Sequence, residues 1–156
     1  MDPLKQIARA WGELAEGWRH LLDSSSGALT HFIGTGRKRG DANRAPDFPQ
    51  WGLLAAETWE TDGTIIVRLE VPGMTLDDLD VSIHGATLRI RGEKRADGEH
   101  RDNVYHLMER AYGRFERSIA LPGNIATAPP EVSCQDGILT VILAKAERIP
   151  PRPRSL

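Results

Sequence analysis

A chain of 156 residues with a formal net charge of −2 has room for one domain of about 100 residues with extensions. That charge balance argues against a general nucleic-acid binder, which carries a basic excess or a clustered basic face. A single cysteine, Cys134, excludes an internal disulfide framework and fits a reducing compartment.

The opening residues M-D-P-L-K-Q-I lack a basic region ahead of an apolar run, and no stretch approaches the roughly 18 apolar residues of a membrane span. The expected location is therefore cytoplasmic, without stable membrane insertion. Asp2 followed by Pro3 supplies an N-cap carboxylate and a proline at the first helical position. From there Leu4, Ile7, Trp11, Leu14, Trp18 and Leu21 recur at alternating steps of three and four, which predicts an amphipathic helix over about residues 3–23. Leu22 widens the stripe, and Ser24, Ser25, Ser26 and Gly27 end it. Such a helix is marginal alone in water, while each large apolar side chain it buries contributes roughly 1.5–3 kcal/mol. The stripe needs a partner surface, which is its own domain, another copy or another bound protein.

Phe32 and Ile33 follow in the same arm, and residues 35–49 (T-G-R-K-R-G-D-A-N-R-A-P-D-F-P) are rich in turn formers and charge without any period. Residues 1–48 are accordingly expected to form an N-terminal arm that ends in a linker. The run Arg37-Lys38-Arg39 reads as solvated charge, and Gly34, Gly36 and Gly40 miss the dinucleotide-binding spacing by one residue with no strand ahead of them.

After Trp51 the period changes to two. Ile65, Val67, Leu69 and Val71 alternate with Ile66, Arg68 and Glu70; Leu79, Val81 and Ile83 with Asp80 and Ser82; Leu88 and Ile90 with Arg89 and Arg91. Turn signals stand at Asp62-Gly63, at His84-Gly85-Ala86-Thr87, which suits a type II′ turn with Gly85 first, and at Asp136-Gly137. Phe115, Arg117, Ile119 and Leu121 alternate again between a glycine and a proline. Many short alternating strands predict an all-β protein built as an antiparallel β-sandwich. Residues 95–114 have no obvious partner strand, although Val104 to Arg110 (V-Y-H-L-M-E-R) has strand-forming character, and a connection that long is usually functional.

Four segments carry a resemblance in order and spacing: E-T-W-E-T-D from Glu57; V-P-G from Val71 leading to L-R-I-R-G-E-K from Leu88; E-R-A-Y-G-R-F-E-R-S-I-A-L-P from Glu109; and D-G-I-L-T-V-I-L-A-K from Asp136. Together they resemble the small heat-shock proteins of the alpha-crystallin family, in their bacterial form, over roughly residues 52 to 145. The resemblance implies an immunoglobulin-like sandwich, the alpha-crystallin domain, over residues 49–145, with a helical arm before it and a short extended tail at 146–156. It further implies a homodimer, assembling into larger oligomers, in which a strand from the long loop crosses to the sandwich edge of a second subunit. That assigns Val104, Tyr105, His106, Leu107, Glu109 and Arg117 to the dimer interface; the alternative is a mobile hairpin within one subunit. A groove between two edge strands is implied at Val81 and Ile83 on one side and Val132 and Cys134 on the other. The family's tail tripeptide, whose two branched residues plug such a groove, is represented by Ile149 alone, since Pro150 follows and then Pro151.

Nothing in the chain carries an enzyme motif. His20, His31, His84, His100 and His106 form no ligand spacing with the cysteine, and no G-x-S-x-G, P-loop or HExxH pattern occurs. Cys134 reads as a small buried hydrophobe. The expected function is that of an ATP-independent holdase without cofactor or metal, which binds non-native client proteins, with Leu4, Ile7, Trp11, Leu14, Trp18, Leu21, Phe32 and Ile33 serving client binding or assembly. The alternative from another class is a CS-domain-like adaptor docking one folded partner.

Overall fold

The computed structural model describes residues 27–34, 49–96 and 104–146, together with Glu16. Nine strands occur among them: β1 (Leu29–His31), β2 (Trp51–Leu53), β3 (Ala56–Glu60), β4 (Thr64–Glu70), β5 (Leu79–His84), β6 (Thr87–Lys94), β7 (Gly113–Ala120), β8 (Glu131–Gln135) and β9 (Ile138–Ala144). All pairings are antiparallel, in a four-stranded sheet of order β3-β4-β9-β8, a three-stranded sheet of order β5-β6-β7 and a two-stranded ribbon of β1 and β2. The alternation in the sequence explains why two sheets form. Ile65, Val67 and Leu69 on β4 stand opposite Leu143, Val141 and Leu139 on β9, and all six are sealed from solvent. Leu88 and Ile90 on β6 and Phe115 on β7 supply the facing layer, so the core is the seam between two half-apolar sheets.

The turns follow their chemistry. Gly85 has φ 59 while Ala86 has none of the positive values, the sign pattern of a type II′ turn. Asp136 and Gly137 have φ 52 and 75, as a type I′ hairpin requires at both central residues. The turn at Asp62-Gly63 needs no positive φ and closes instead through the Thr61 N–H donating to the Thr64 carbonyl at 2.9 Å. Two further glycines set the packing. A Cβ on Gly92 would lie 2.6 Å from the Phe115 ring and 2.9 Å from Leu79 Cδ2, and one on Gly113 (φ 125) would collide with the Ile33 carbonyl. Gly92 therefore lets Phe115 enter the core, and Gly113 lets β1 reach β7.

Residues 27–34 depart from the expected arm. They form β1, which is fastened to the domain through the Ile33–Arg114 bridge, with N···O distances of 2.7 and 2.9 Å. Phe32 is 2% exposed and meets the Phe115 ring at a centroid distance of 5.3 Å. This corrects the expectation that Phe32 is free for clients: its ring completes the sandwich core. The predicted helix residues Leu4, Ile7, Trp11, Leu14, Trp18 and Leu21 lie outside the described residues. Glu16 is helical and exposed, and it falls on the polar side of the periodic stripe.

Candidate interaction surfaces

Val81 and Ile83 lie on β5, the edge of the three-stranded sheet, and pair with Ile90 and Leu88 on the inward face. Val132 and Cys134 lie on β8, the edge of the other sheet, opposite Val141 and Leu139. All four are half-buried and pack on the core, because each points inward from a strand that has a neighbour on one side only. Cys134 ties the two edges together, its Sγ standing 3.9 Å from the Met74 carbonyl in the crossover that leads to β5. Burial, helped by the Asp78 carboxylate, pushes the Cys134 thiol above the ordinary thiol range, so it is a poor nucleophile at neutral pH. Asp78 belongs to a 3₁₀ turn at Leu76–Asp78. Its carboxylate accepts from the Thr75 N–H at 2.9 Å and the Thr75 hydroxyl at 3.1 Å, and the backbone donor foremost holds its pKa below the ordinary value.

A second surface joins the opposite edge to the long connection. β3 is exposed at every residue and among the described residues has a neighbour only in β4. β6 and β7 close their register at Lys94 and Gly113, a pair that a two-residue turn can link, yet the chain between them runs from residue 95 to 112. Within it Val104 is 81% exposed and Leu107 72%, His106 and Glu109 are exposed, and Tyr105 is half-buried. Residues 104–110 join no strand of the described residues. The root of this segment is held where the Arg110 guanidinium lies 5.1 Å and Lys94 Nζ 5.7 Å from the Tyr112 ring centroid. Burial, then the charge of Arg110, pushes the Lys94 pKa down.

Arg117 occupies the inner face of β7 opposite Ile90 and is 8% exposed. Its guanidinium packs on Gly27, its Nε is buried without a hydrogen bond among the described residues, and burial pushes its pKa down. The alternation of Phe115, Arg117 and Ile119 already placed it on the core side; what no pattern in the sequence shows is that no carboxylate in the described residues meets it. On the outer face of the same sheet charges do pair. Glu116 accepts from Arg91 Nε at 2.7 Å, and Arg89 Nε approaches it at 3.5 Å, near enough for attraction but not aligned for a hydrogen bond. The Arg91 bond foremost lowers the Glu116 pKa. A cleft of about 670 Å³ has Ile33, Leu79 and Phe115 among its apolar lining and Arg91, Glu93 and Glu116 among its charged lining. Among the described residues no group of three His, Cys, Asp or Glu side chains stands ready for a metal ion, and no helix is long and apolar enough to cross a membrane.

With two sheets, a β3 edge left unpaired by the described residues and a long β6–β7 connection in place, comparison with known proteins becomes decisive. The model of the Hsp20/alpha crystallin family matches residues 57–156. The chain belongs to that family. It is 37% identical to "Small heat shock protein C2" of Rickettsia felis over 89 residues, 57% of this chain and 58% of that protein. The chain is 35% identical over 119 residues to the peroxisomal "16.0 kDa heat shock protein" of Oryza sativa subsp. japonica, covering 70% of this chain and 80% of that protein. The match spans only 58% and 55% of the Rickettsia felis proteins C2 and C4, less than two thirds of their length. Among solved structures, heat shock protein 16.0 from Schizosaccharomyces pombe superposes with a TM-score of 0.56 at 28% identity, covering 66% of this chain and 96% of that one. A small heat-shock protein from Xylella fastidiosa shares the fold, with a TM-score of 0.56 at 23% identity over 67% of this chain and 96% of its own. Val81, Ile83, Val132 and Cys134 are thus on edge strands of an alpha-crystallin sandwich, and Ile149 lies outside the described residues.

Proposed function

We propose that this protein is an ATP-independent holdase chaperone that binds partly unfolded proteins through apolar surface and prevents their aggregation, acting as a homodimer that assembles further. The observation that carries this reading is the exposure of Val104 and Leu107, in a segment that joins no strand among the described residues, beside a domain whose β3 has no neighbour but β4 among those residues. An apolar β-former left exposed is a hazard in a monomer, and pairing it with the β3 edge of a second copy removes both hazards at once. Family membership supports the same conclusion, and the half-buried groove residues on β5 and β8 leave a second apolar site for a tail or a client. Partly unfolded proteins aggregate when their apolar patches meet, so reversible cover over those patches is sufficient, and no nucleotide is required. The chain's proposed organisation is an arm over residues 1–48 carrying client-binding or assembly contacts at Leu4, Ile7, Trp11, Leu14, Trp18, Leu21 and Ile33, the domain at 49–145, and a tail at 146–156 with Ile149 as its plug. β1 is the exception within the arm, being part of the domain.

The test is suppression of light scattering from unrelated heated proteins without ATP. Protection of several of them at equimolar chain is expected. Unchanged scattering at equimolar or higher chain refutes the holdase reading, and defined-stoichiometry binding to one folded partner would identify an adaptor instead.

A further inference from the structure

The ribbon of β1 and β2 has two unlike faces. Across its register Thr30 stands opposite Gly52, and Leu29 and His31 stand opposite Leu53 and Trp51. Thr30, Phe32 and Leu54 point inward and are buried, which holds the ribbon rigidly on the core. The outer face is apolar and open: Leu29, Trp51, Leu53 and Ile33 are 45, 54, 60 and 63% exposed, with the His31 ring 4.7 Å from that of Trp51. No strand or side chain of the described core requires this face to be apolar.

We infer that the outer face of the β1–β2 ribbon is the docking site for the second half of the same chain's N-terminal stripe, Leu14, Trp18 and Leu21. Three features select this occupant. Chain continuity is the first: the helix predicted over about residues 3–23 is followed closely by β1, and the eight residues from Leu21 to Leu29 reach at most about 26–29 Å, so the last predicted turns cannot stray far from the ribbon. The second is length. Three residue pairs make a platform of roughly 10 Å, which matches about two helical turns of 5.4 Å and leaves Leu4, Ile7 and Trp11 uncovered for clients or other copies. Area is the third. Four half-exposed side chains offer on the order of 400 Å², half of the roughly 800 Å² per partner in a stable interface between separate molecules. A site that small suits a tethered segment, whose effective concentration is in the millimolar range. The helical, exposed Glu16 agrees, because it lies opposite Leu14 and Trp18 on a helical wheel. The stripe is thereby divided into a seated half and a presented half, a point that goes beyond the chaperone reading and does not depend on client protection.

Hydrogen exchange of the full-length protein tests the assignment. In the wild type, peptides covering residues 14–22 should be protected relative to those covering 4–11. Leu53→Asp, and separately Leu29→Asp, should speed exchange in 14–22 at least tenfold while β4 and β9 exchange as before, since both side chains are exposed and neither supports the core. Exchange in 14–22 unchanged by both substitutions overturns the proposal. A second experiment fixes the origin of the segment. Trp18→Cys with Leu53→Cys, in a Cys134→Ser background, is oxidised in a mixture of isotopically light and heavy chains. Cross-links within one chain are expected; links only between light and heavy chains would assign the platform to a second copy and overturn the intrachain assignment. Client protection is measured separately, so failure here leaves the holdase reading standing.

Discussion

Arg117→Met separates a charge that the dimer uses from one that the fold merely tolerates. In one chain the guanidinium is buried on the inner face of β7 with Nε unsatisfied, and no carboxylate in the described residues pairs with it. Methionine has a similar length and flexibility, so the space between Ile90 and Gly27 stays filled, which a glycine would not achieve. If the charge met nothing in the assembly either, its replacement by an apolar residue of similar volume would be neutral or stabilising. Under the proposed dimer Arg117 meets an acceptor of the second subunit, and removing one partner of a buried charged contact costs about 3–5 kcal/mol. At about 1.4 kcal/mol per decade, each lost contact should raise the dimer dissociation constant by about two to three and a half decades, and a symmetric dimer loses two such contacts, so a rise of at least about 10²-fold is the minimum expected. The assay is dilution through the dimer–monomer transition by analytical ultracentrifugation, with urea unfolding of the dissociated chain as the control for folding. The expected pair of results is a weakened dimer and a monomer at least as stable as before. A variant that dimerises as tightly as the wild type would refute the interfacial role and leave Arg117 as a purely intrachain residue.

Four further outcomes are expected. Gly92→Ala should destabilise the sandwich by about 1–3 kcal/mol, because its Cβ meets the Phe115 ring at 2.6 Å and Leu79 Cδ2 at 2.9 Å; a urea midpoint within error of wild type would show that Phe115 can step aside. Deleting residues 98–107 should leave a folded sandwich by near-ultraviolet circular dichroism yet shift it toward monomer, and a variant still fully dimeric at low micromolar concentration would reject exchange of that segment. Asp78 contributes stability that is present above its ordinary pKa of 3.8 and is lost as pH falls through the lowered folded value, so Asp78→Asn should flatten the acid limb of the stability profile below about pH 4; an unchanged limb would show that the Thr75 contacts carry no linkage. The raised thiol of Cys134 should be alkylated slowly at pH 8 and reach half-maximal rate at a higher pH than a free cysteine, with the difference vanishing in denaturant; a native rate equal to the denatured one would place the sulfur in open solvent.

Physical burial decided what was legible in the chain. β4 buries one face completely and β6 does so at Leu88 and Ile90, so their period of two is visible as Ile65-Val67-Leu69 and Leu88-Ile90; β9 buries Leu139, Val141 and Leu143 in the same way, although its segment stood out through family likeness. β3 buries neither face and therefore carries no alternation; only the likeness of E-T-W-E-T-D to a known family pointed there. β1 is three residues long, too short for any period to register, and Phe32 was consequently read with the arm although its partner Phe115 lies more than eighty positions away. The spacing glycines were silent for a related reason: the demand on Gly92 and Gly113 comes from Phe115 and the Ile33 carbonyl, which only the folded sheet brings near. The groove residues illustrate the limit from the other side. Alternation showed that Val81 shares a face with Ile83 and Val132 with Cys134, but their positions on edge strands follow from the strand order, which no local pattern contains.

The same strand order suggests why so short a sandwich would serve a chaperone. Closing the two sheets into a barrel would abolish their edges, yet this fold leaves β3, β5 and β8 each with a neighbour on one side. Under the proposed reading every one of these edges has an exchangeable occupant: the 104–110 segment of a second copy on β3, and an apolar tail or client residue over the half-buried pairs of β5 and β8. The β1–β2 ribbon adds a fourth site held by a tether. Each such contact is small, so each releases readily, while the continuous core between β4, β9, β6 and β7 is untouched when it does. A protein built this way can present apolar surface by letting go of its own segments, without unfolding and without an energy source.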